Sequence, residues 1–429
     1  MFERITITPV GRIHASIRPP GSKSITNRAL VCAALADGCS VLTGALDSED
    51  TQVMIDSLRR LGIAVEHDAA RCELRVTGCG GKIPNAKADL FVGNSGTTIR
   101  FLTALVALGH GTYRLDGVAR MRERPIADLI DSLQQLGVSA NSETNNGCPP
   151  VVVEASGLRG GPSTVRGDVS SQFLSGLLLA SPAADSTVEI CVSGELVSKP
   201  YIHITLAVMR SFGVNIKVAS DLSRFNIPAP TKYQGRTFAI EPDASAASYF
   251  FAAAAITGGE VTVLGLSRDA LQGDIRFCEC LEQMGCDVRY ESDQTTVVGR
   301  KLTGISVNMN AISDTAQTLA AVGLFADGPT TITGIGHNRH KETDRIADLA
   351  CELRKFGAKV EEFPDGLKIV PANLHGAEIE TYHDHRMAMS LALVGLRVPN
   401  VTILNPACTA KTYPRFFDDL AQLVGESSK

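Results

Sequence analysis

Leu58-Arg-Arg-Leu61-Gly62-Ile63 returns in altered letters four more times along the chain. The copies are Leu133-Gln-Gln-Leu136-Gly137-Val138, Met209-Arg-Ser-Phe212-Gly213-Val214, Leu281-Glu-Gln-Met284-Gly285-Cys286 and Leu353-Arg-Lys-Phe356-Gly357-Ala358. The five glycines lie 75, 76, 72 and 72 residues apart, so the chain is built by repetition. Each glycine follows a helical apolar pattern and precedes a strand-like one. A helix that stops there needs a left-handed residue just past its end, and glycine adopts that conformation at least cost.

Two more signatures share the period. A β-rich run closes on Gly44, Gly117, Gly194, Gly265 and Gly334, and Val401-Thr-Ile-Leu-Asn405 is a sixth version without the glycine. An almost wholly apolar helix recurs at 29–36, 99–108, 173–180, 246–256, 316–325 and 387–396. A helix apolar on every side is buried, and each run falls well short of the ~20 residues a bilayer span needs. The unit reads as buried helix, strand, loop, amphipathic helix, glycine and strands, six times over. The sixth copy ends after a helix near Tyr413–Leu423 without closing strands, whereas residues 1–20 carry strand patterns and no buried helix before them. The first residues are therefore expected to complete the last unit. This gives a discontinuous domain, 1–20 plus 241–429, and an inserted domain, 21–240, of three units each. Two crossings join them, an arrangement that favours hinge closure around a ligand in the cleft between the domains.

Of the 429 residues, 44% are hydrophobic and 20% charged, which allows sizeable cores and argues against global disorder. A formal charge of −5 speaks against an overall nucleic-acid or anionic-membrane binder. Tryptophan is absent and no basic stretch is interleaved with aromatics, which removes single-strand stacking. Eleven cysteines are scattered without a CxxC pair, Cys278 and Cys280 being the closest two, and read as reduced, core-filling thiols. Met1-Phe-Glu-Arg leads straight into the alternating run Ile5-Thr-Ile-Thr-Pro-Val10 with no signal or transit pattern, so a cytoplasmic location is expected.

The residues ahead of the six apolar helices are polar and differ between copies: Gly21-Ser-Lys-Ser24, Asn94-Ser-Gly-Thr97, Ser170-Ser-Gln172, Asp243-Ala-Ser245, Ser313-Asp-Thr315 and Tyr382-His-Asp-His-Arg386. Ser, Asn, Asp and Thr are what helix caps require. Lys23, Arg28, Gln172, His385 and Arg386 are not cap residues. A helix N-terminus already offers free N–H groups and a positive dipole end, so added cations make sense there for an anionic ligand. The loops after the β-runs carry Arg120-Met-Arg-Glu-Arg124, Ser198-Lys-Pro-Tyr201, Arg339-His-Lys-Glu-Thr-Asp-Arg345 and Thr409-Ala-Lys411. A charge run alone is usually a solvated face. Equivalent loops of a repeat fall on one side of each unit, however, so these charges can converge.

One cleft would then gather Lys23, Arg28, Arg124, Lys341, Arg345, Arg386 and Lys411. Seven cations repel one another, and two phosphorylated ligands with a carboxylate would offset them through bidentate and point contacts. Asp314, set among cations, is a candidate base, with helix capping as its alternative role. Glu342 and Lys23 are candidate proton donors. Gly21-Ser-Lys-Ser24 lacks the leading spacing of a P-loop, no GxGxxG follows a strand, and His383-Asp-His385 lacks a third metal partner, so no metal and no dinucleotide is expected.

These residues also carry a family pattern. Pro20-Gly-Ser-Lys-Ser24 with Asn27-Arg28, Gly93-Asn-Ser-Gly-Thr97 with Arg100, Glu123-Arg-Pro-Ile126, Ser170-Ser-Gln-Phe173 and Leu196–Ile202 resemble the 5-enolpyruvylshikimate-3-phosphate synthases. So do Gln272-Gly-Asp274, Lys341–Arg345, Asp384–Met389 and Thr409–Thr412. The resemblance runs along essentially the whole chain. It implies an α/β fold of two inverse α/β-barrel domains, three βαβαββ repeats each. It implies transfer of the enolpyruvyl group of phosphoenolpyruvate to the 5-hydroxyl of shikimate 3-phosphate, by a monomer without cofactor. Ser170, Ser171, Ser198 and Lys341 would hold the shikimate phosphate and ring, Tyr201 would pack on the ring, and Ser24 with Arg28 would hold its carboxylate. Gln172 would touch both substrates. Lys23, Gly96, Arg124, Arg345, Arg386 and Lys411 would grip phosphoenolpyruvate, with His385 beside it. Asp314 would take the hydroxyl proton, and Glu342 or Lys23 would protonate C3.

With Gly96 present, glyphosate is expected to compete with phosphoenolpyruvate. Two positions depart from the family pattern. Phe101 stands where many members have proline, and His337-Asn338 replaces the usual Asn-Trp. The sister transferases acting on UDP-N-acetylglucosamine carry a reactive cysteine in the loop matching Ala119–Pro125, and none is present here. A silent binding protein on the same scaffold is the other alternative.

Overall fold

The computed structural model describes residues 3–426. Residues 1–2 and 427–429, the outermost parts of the discontinuous domain, lie outside them. The chain falls into two compact units, 1–20 with 241–429, and 21–240.

In the 21–240 unit the repeat is βαβαββ, and the middle copy shows how it forms. Strand Lys87–Phe91 leads into the helix Gly96–Val106, every residue of which is buried. Strand His110–Asp116 then returns parallel to the first, with Lys87 opposite Thr112. Parallel pairing needs a crossover, and the apolar helix supplies it. The amphipathic helix Ala127–Gln135 follows, and Ser139–Ser142 and Val151–Ser156 extend the sheet antiparallel. The unit's last strand, Thr237–Ala239, lies parallel to Cys39–Thr43 and so completes its first sheet.

The other unit follows the same plan with the N-terminal strands built in. Arg4–Ile7 pairs antiparallel with Val401–Leu404, whereas His14–Ile17 pairs parallel with Glu260–Leu264. The first residues thus serve two copies, the fourth and the sixth, where the repeat pattern alone had assigned them to one. The sixth sheet holds three strands among the described residues.

The five repeat glycines have φ between +84° and +107°. After the first four, the next amide bonds to the carbonyl five residues back at 2.9–3.0 Å, which stops each helix. Five of the six buried helices begin earlier than their apolar runs, at Lys23, Gly96, Ser171, Ala244 and His385, and the other starts with its run at Ala316. Their caps are Ser22, Ser95, Ser170, Asp243 and Asp384, so Lys23, Gln172, His385 and Arg386 lie in first turns, not ahead of the helices. All eleven cysteines are free thiols. Cys32, Cys278, Cys280 and Cys286 are buried, but Cys39, Cys72 and Cys351 are exposed. Core filling therefore accounts for only part of the set. Among the described residues no helix is long and apolar enough to cross a membrane, and no group of three or more His, Cys, Asp or Glu could hold a metal ion.

Candidate active site

Within the 21–240 unit, the three buried helix starts are tied together by side chains. Lys23 Nζ lies 3.3 Å from the buried carboxylate of Asp50. The backbone oxygen of Asp50 is 3.5 Å from Thr98 Oγ1, which in turn meets Ser95, the cap of the Gly96 helix. Gly96 sits against two cations, and a Cβ there would collide with the guanidinium nitrogens of Arg100 and Arg124. Arg124 donates to Asn94 O and Oδ1 at 3.0 and 3.2 Å. Gln172 accepts from Arg100 at 3.1 Å and donates to Thr97 at 3.3 Å, which fixes its amide orientation. Arg28 donates to Ser24 O at 2.8 Å and to Tyr201 O at 3.2 Å, uniting these three predicted residues. Burial lowers its pKa to about 10. Ser170 caps the helix that carries Ser171 and Gln172. Ser198 takes a left-handed conformation, φ +53°, that a serine rarely adopts, and its hydroxyl does not cap the helix that follows.

The 1–20 plus 241–429 unit gathers its predicted residues into one ion-pair network. Asp314 receives Lys341 at 2.5 Å and Arg386 at 2.7 Å, with Arg345 at 3.6 Å. Glu342 receives Arg345 and Lys411, each at 2.8 Å. Asp384, fully buried, takes Arg345 at 2.6 and 3.0 Å and caps the helix through the Arg386 amide at 2.9 Å. His385 Nδ1 lies 3.5 Å from the same carboxylate. Asp314 stands in a 3-10 turn, Asn310–Thr315, where Thr315 holds the N-cap position of the following helix, and its carboxylate receives Lys341 and Arg386. The repulsion foreseen among cations is therefore met within this unit by three carboxylates.

Burial lowers the pKa of Lys341, against the pull of Asp314. Burial also acts to lower that of Arg345, and Asp384 and Glu342 more than reverse it. His337, hydrogen-bonded to Ser313 at 2.9 Å, is pushed down to about 3 by burial and then by Lys341. At neutral pH it is an uncharged hydrogen-bonding group, which is also what an asparagine there would be.

Sequence reasoning missed the partners. Asp50 reads as a helix-start acid, Asp384 as a cap, and neither pairing is visible along the chain. The motif residue Gln272 is local: it donates to Asp243 and Ser245 and accepts from the Ala244 amide, bracing a helix start. Asp274 beside it is pushed up to about 7, first by burial, then by Asp314. Its unfolded value is near 3.8. Between those values the folded chain binds the extra proton, so this carboxyl's contribution is fully present below about pH 4 and fades as pH rises to about 7. The melting temperature of the parent minus that of Asp274→Asn is expected to fall across that window; a constant difference would contradict it.

Repeated βαβαββ copies with cations at buried helix starts define a class, and the fold is that of the enolpyruvyl transferases. The enolpyruvyl transferase NikO from Streptomyces tendae superposes with a TM-score of 0.76 at 20% identity, covering 97% of this chain and 96% of that one. A solved EPSP synthase from Acinetobacter baumannii gives 0.82 at 26% identity, covering 99% and 98%. The model of the EPSP synthase (3-phosphoshikimate 1-carboxyvinyltransferase) family matches residues 7–420, and the chain belongs to that family. A 3-phosphoshikimate 1-carboxyvinyltransferase from Nostoc punctiforme is 49% identical over 425 residues, 99% of this chain and all of that one.

Proposed function

We propose that Asp314 and the cations around it carry out the activity of this family, transfer of the enolpyruvyl group of phosphoenolpyruvate to the 5-hydroxyl of shikimate 3-phosphate. Asp314 takes the hydroxyl proton as that oxygen attacks C2, and Glu342 or Lys23 protonates C3. The tetrahedral adduct then loses phosphate and a C3 proton to give the enol ether. Arg345, Arg386 and Lys411 stabilise charge on the departing phosphate together with Lys23 and Arg124, and His385 lies beside them. Ser24, Arg28, Ser170, Ser171, Gln172, Ser198, Tyr201 and Lys341 hold the acceptor, with Gln172 shared. Holding two anions in register supplies about 7–11 kcal/mol by proximity.

The observation that carries this reading is the network on Asp314, an acid held by Lys341 at 2.5 Å and Arg386 at 2.7 Å. An incoming phosphate competes for those cations and leaves the carboxylate to act as a base. Phosphate release from phosphoenolpyruvate tests it. Turnover with shikimate 3-phosphate and none with UDP-N-acetylglucosamine is expected. Turnover with the sugar nucleotide instead, or tight acceptor binding without turnover, would favour the alternatives.

The same reading makes the protein a cytoplasmic monomer of the shikimate pathway. It also makes glyphosate a competitor of phosphoenolpyruvate, because Gly96 lacks the Cβ that would displace the guanidinium groups of Arg100 and Arg124. Activity undiminished at millimolar glyphosate would contradict that expectation.

A further inference from the structure

In the 21–240 unit two arginines one repeat apart are held in the same way. Arg28 and Arg100 are 72 residues apart, each in the second turn of a buried helix. Each donates from Nη1 to the carbonyl four residues back, Ser24 at 2.8 Å and Gly96 at 3.2 Å. Each guanidinium also lies over an aromatic ring from the buried helix of the next copy. Arg28 is 5.1 Å from the Phe101 centroid and Arg100 is 5.5 Å from that of Phe173, and these rings are again 72 residues apart. A geometry made twice at the repeat period belongs to the design of the unit.

Arg28 shows what the ring does. Its Nε donates to Thr205 at 2.7 Å, and its Nη2 donates to Ser175 and to Tyr201 O at 3.3 and 3.2 Å. With the bond to Ser24, four of the five guanidinium N–H groups are used by the protein, leaving one on Nη1. Hydrogen bonds fix the edges of the guanidinium, but the face needs its own support. Phe101, 1% exposed, supplies it, and the Tyr201 ring lies 5.9 Å away as well. A flat cation over an aromatic face is attracted by the ring quadrupole, most strongly where water is excluded.

We propose that Phe101 is a positioning residue whose ring fixes the plane of Arg28, so that the remaining Nη1–H meets the carboxylate of the acceptor substrate. This rests on the reading above that Arg28 receives that carboxylate. Leucine keeps most of the buried volume and removes the π face. Phe101→Leu is therefore expected to raise both the Kd and the KM for shikimate 3-phosphate by about five- to thirty-fold. The KM for phosphoenolpyruvate should stay within about twofold, with a smaller change in kcat.

In an Arg28→Met background the added effect of Phe101→Leu on Kd should vanish, because the cation it supports is gone. Calorimetric titration with shikimate 3-phosphate on the parent, both single variants and the double variant reads this directly. Phe101→Met serves equally if leucine packs poorly. An unchanged Kd in Phe101→Leu, or an equal loss with and without Arg28, would overturn the proposal while leaving the enzyme reading intact. A parent that fails to bind shikimate 3-phosphate would instead overturn the reading beneath it.

Discussion

Asp314→Ala is expected to lower kcat by about 10²–10⁴-fold, the usual range for a general acid–base group. Binding of shikimate 3-phosphate should stay within about tenfold of the parent, some 1.4 kcal/mol. The two halves of this expectation have separate causes. On the proposed reading the carboxylate is the proton acceptor, and the other carboxylates of the network are engaged elsewhere, Glu342 by Arg345 and Lys411 and Asp384 by Arg345. Yet Lys341, Arg345 and Arg386 remain to meet an anion, and the variant removes a carboxylate that competes for them at 2.5, 3.6 and 2.7 Å. Steady-state turnover and calorimetric binding separate the two. Lost binding with the residual turnover scaling in step would mean that Asp314 mainly holds the cations in place.

Asp384→Ala is expected to have the second largest effect, and it should act on stability as well as activity. This carboxylate is fully buried and receives Arg345, itself 2% exposed, through two hydrogen bonds while capping the helix that carries Arg386. Removing one member of a buried pair leaves an uncompensated charge, a loss of about 3–5 kcal/mol. Glu342 at 2.8 Å still faces Arg345, so the lower end of that range is expected. Released from Asp384, Arg345 should also lose its aim, and the KM for phosphoenolpyruvate should rise at least about tenfold, the worth of one charged hydrogen bond. Urea unfolding and steady-state kinetics read both. A stability loss below about 1 kcal/mol would show that the other carboxylates suffice.

The parts of this protein that were legible in the sequence are those encoded locally. Gly62, Gly137, Gly213, Gly285 and Gly357 mark helix ends because the left-handed geometry is a property of a single residue. The apolar runs declare buried helices for the same reason. The cations at helix starts and loops stood out because no local structural role explains them. What stayed hidden depends on pairing across distance. Lys87–Phe91 finds its partner only beyond a whole helix, at His110–Asp116. His14–Ile17 and Arg4–Ile7 join sheets whose other strands lie hundreds of residues on. In the site, Asp50 under Lys23 and Asp384 under Arg345 are ordinary acids until the fold brings them to their cations. Phe101 looked like a departure from a family pattern, and the fold makes it the platform of Arg28.

The most direct trial is a crystal structure with shikimate 3-phosphate and glyphosate both bound. The two ligands should lie side by side, touched by Lys23 and Arg124 from residues 21–240 and by Lys341, Arg386 and Lys411 from the rest of the chain. Ligands held by residues of a single unit, with the carboxylate of Asp314 far from the 5-hydroxyl, would contradict it.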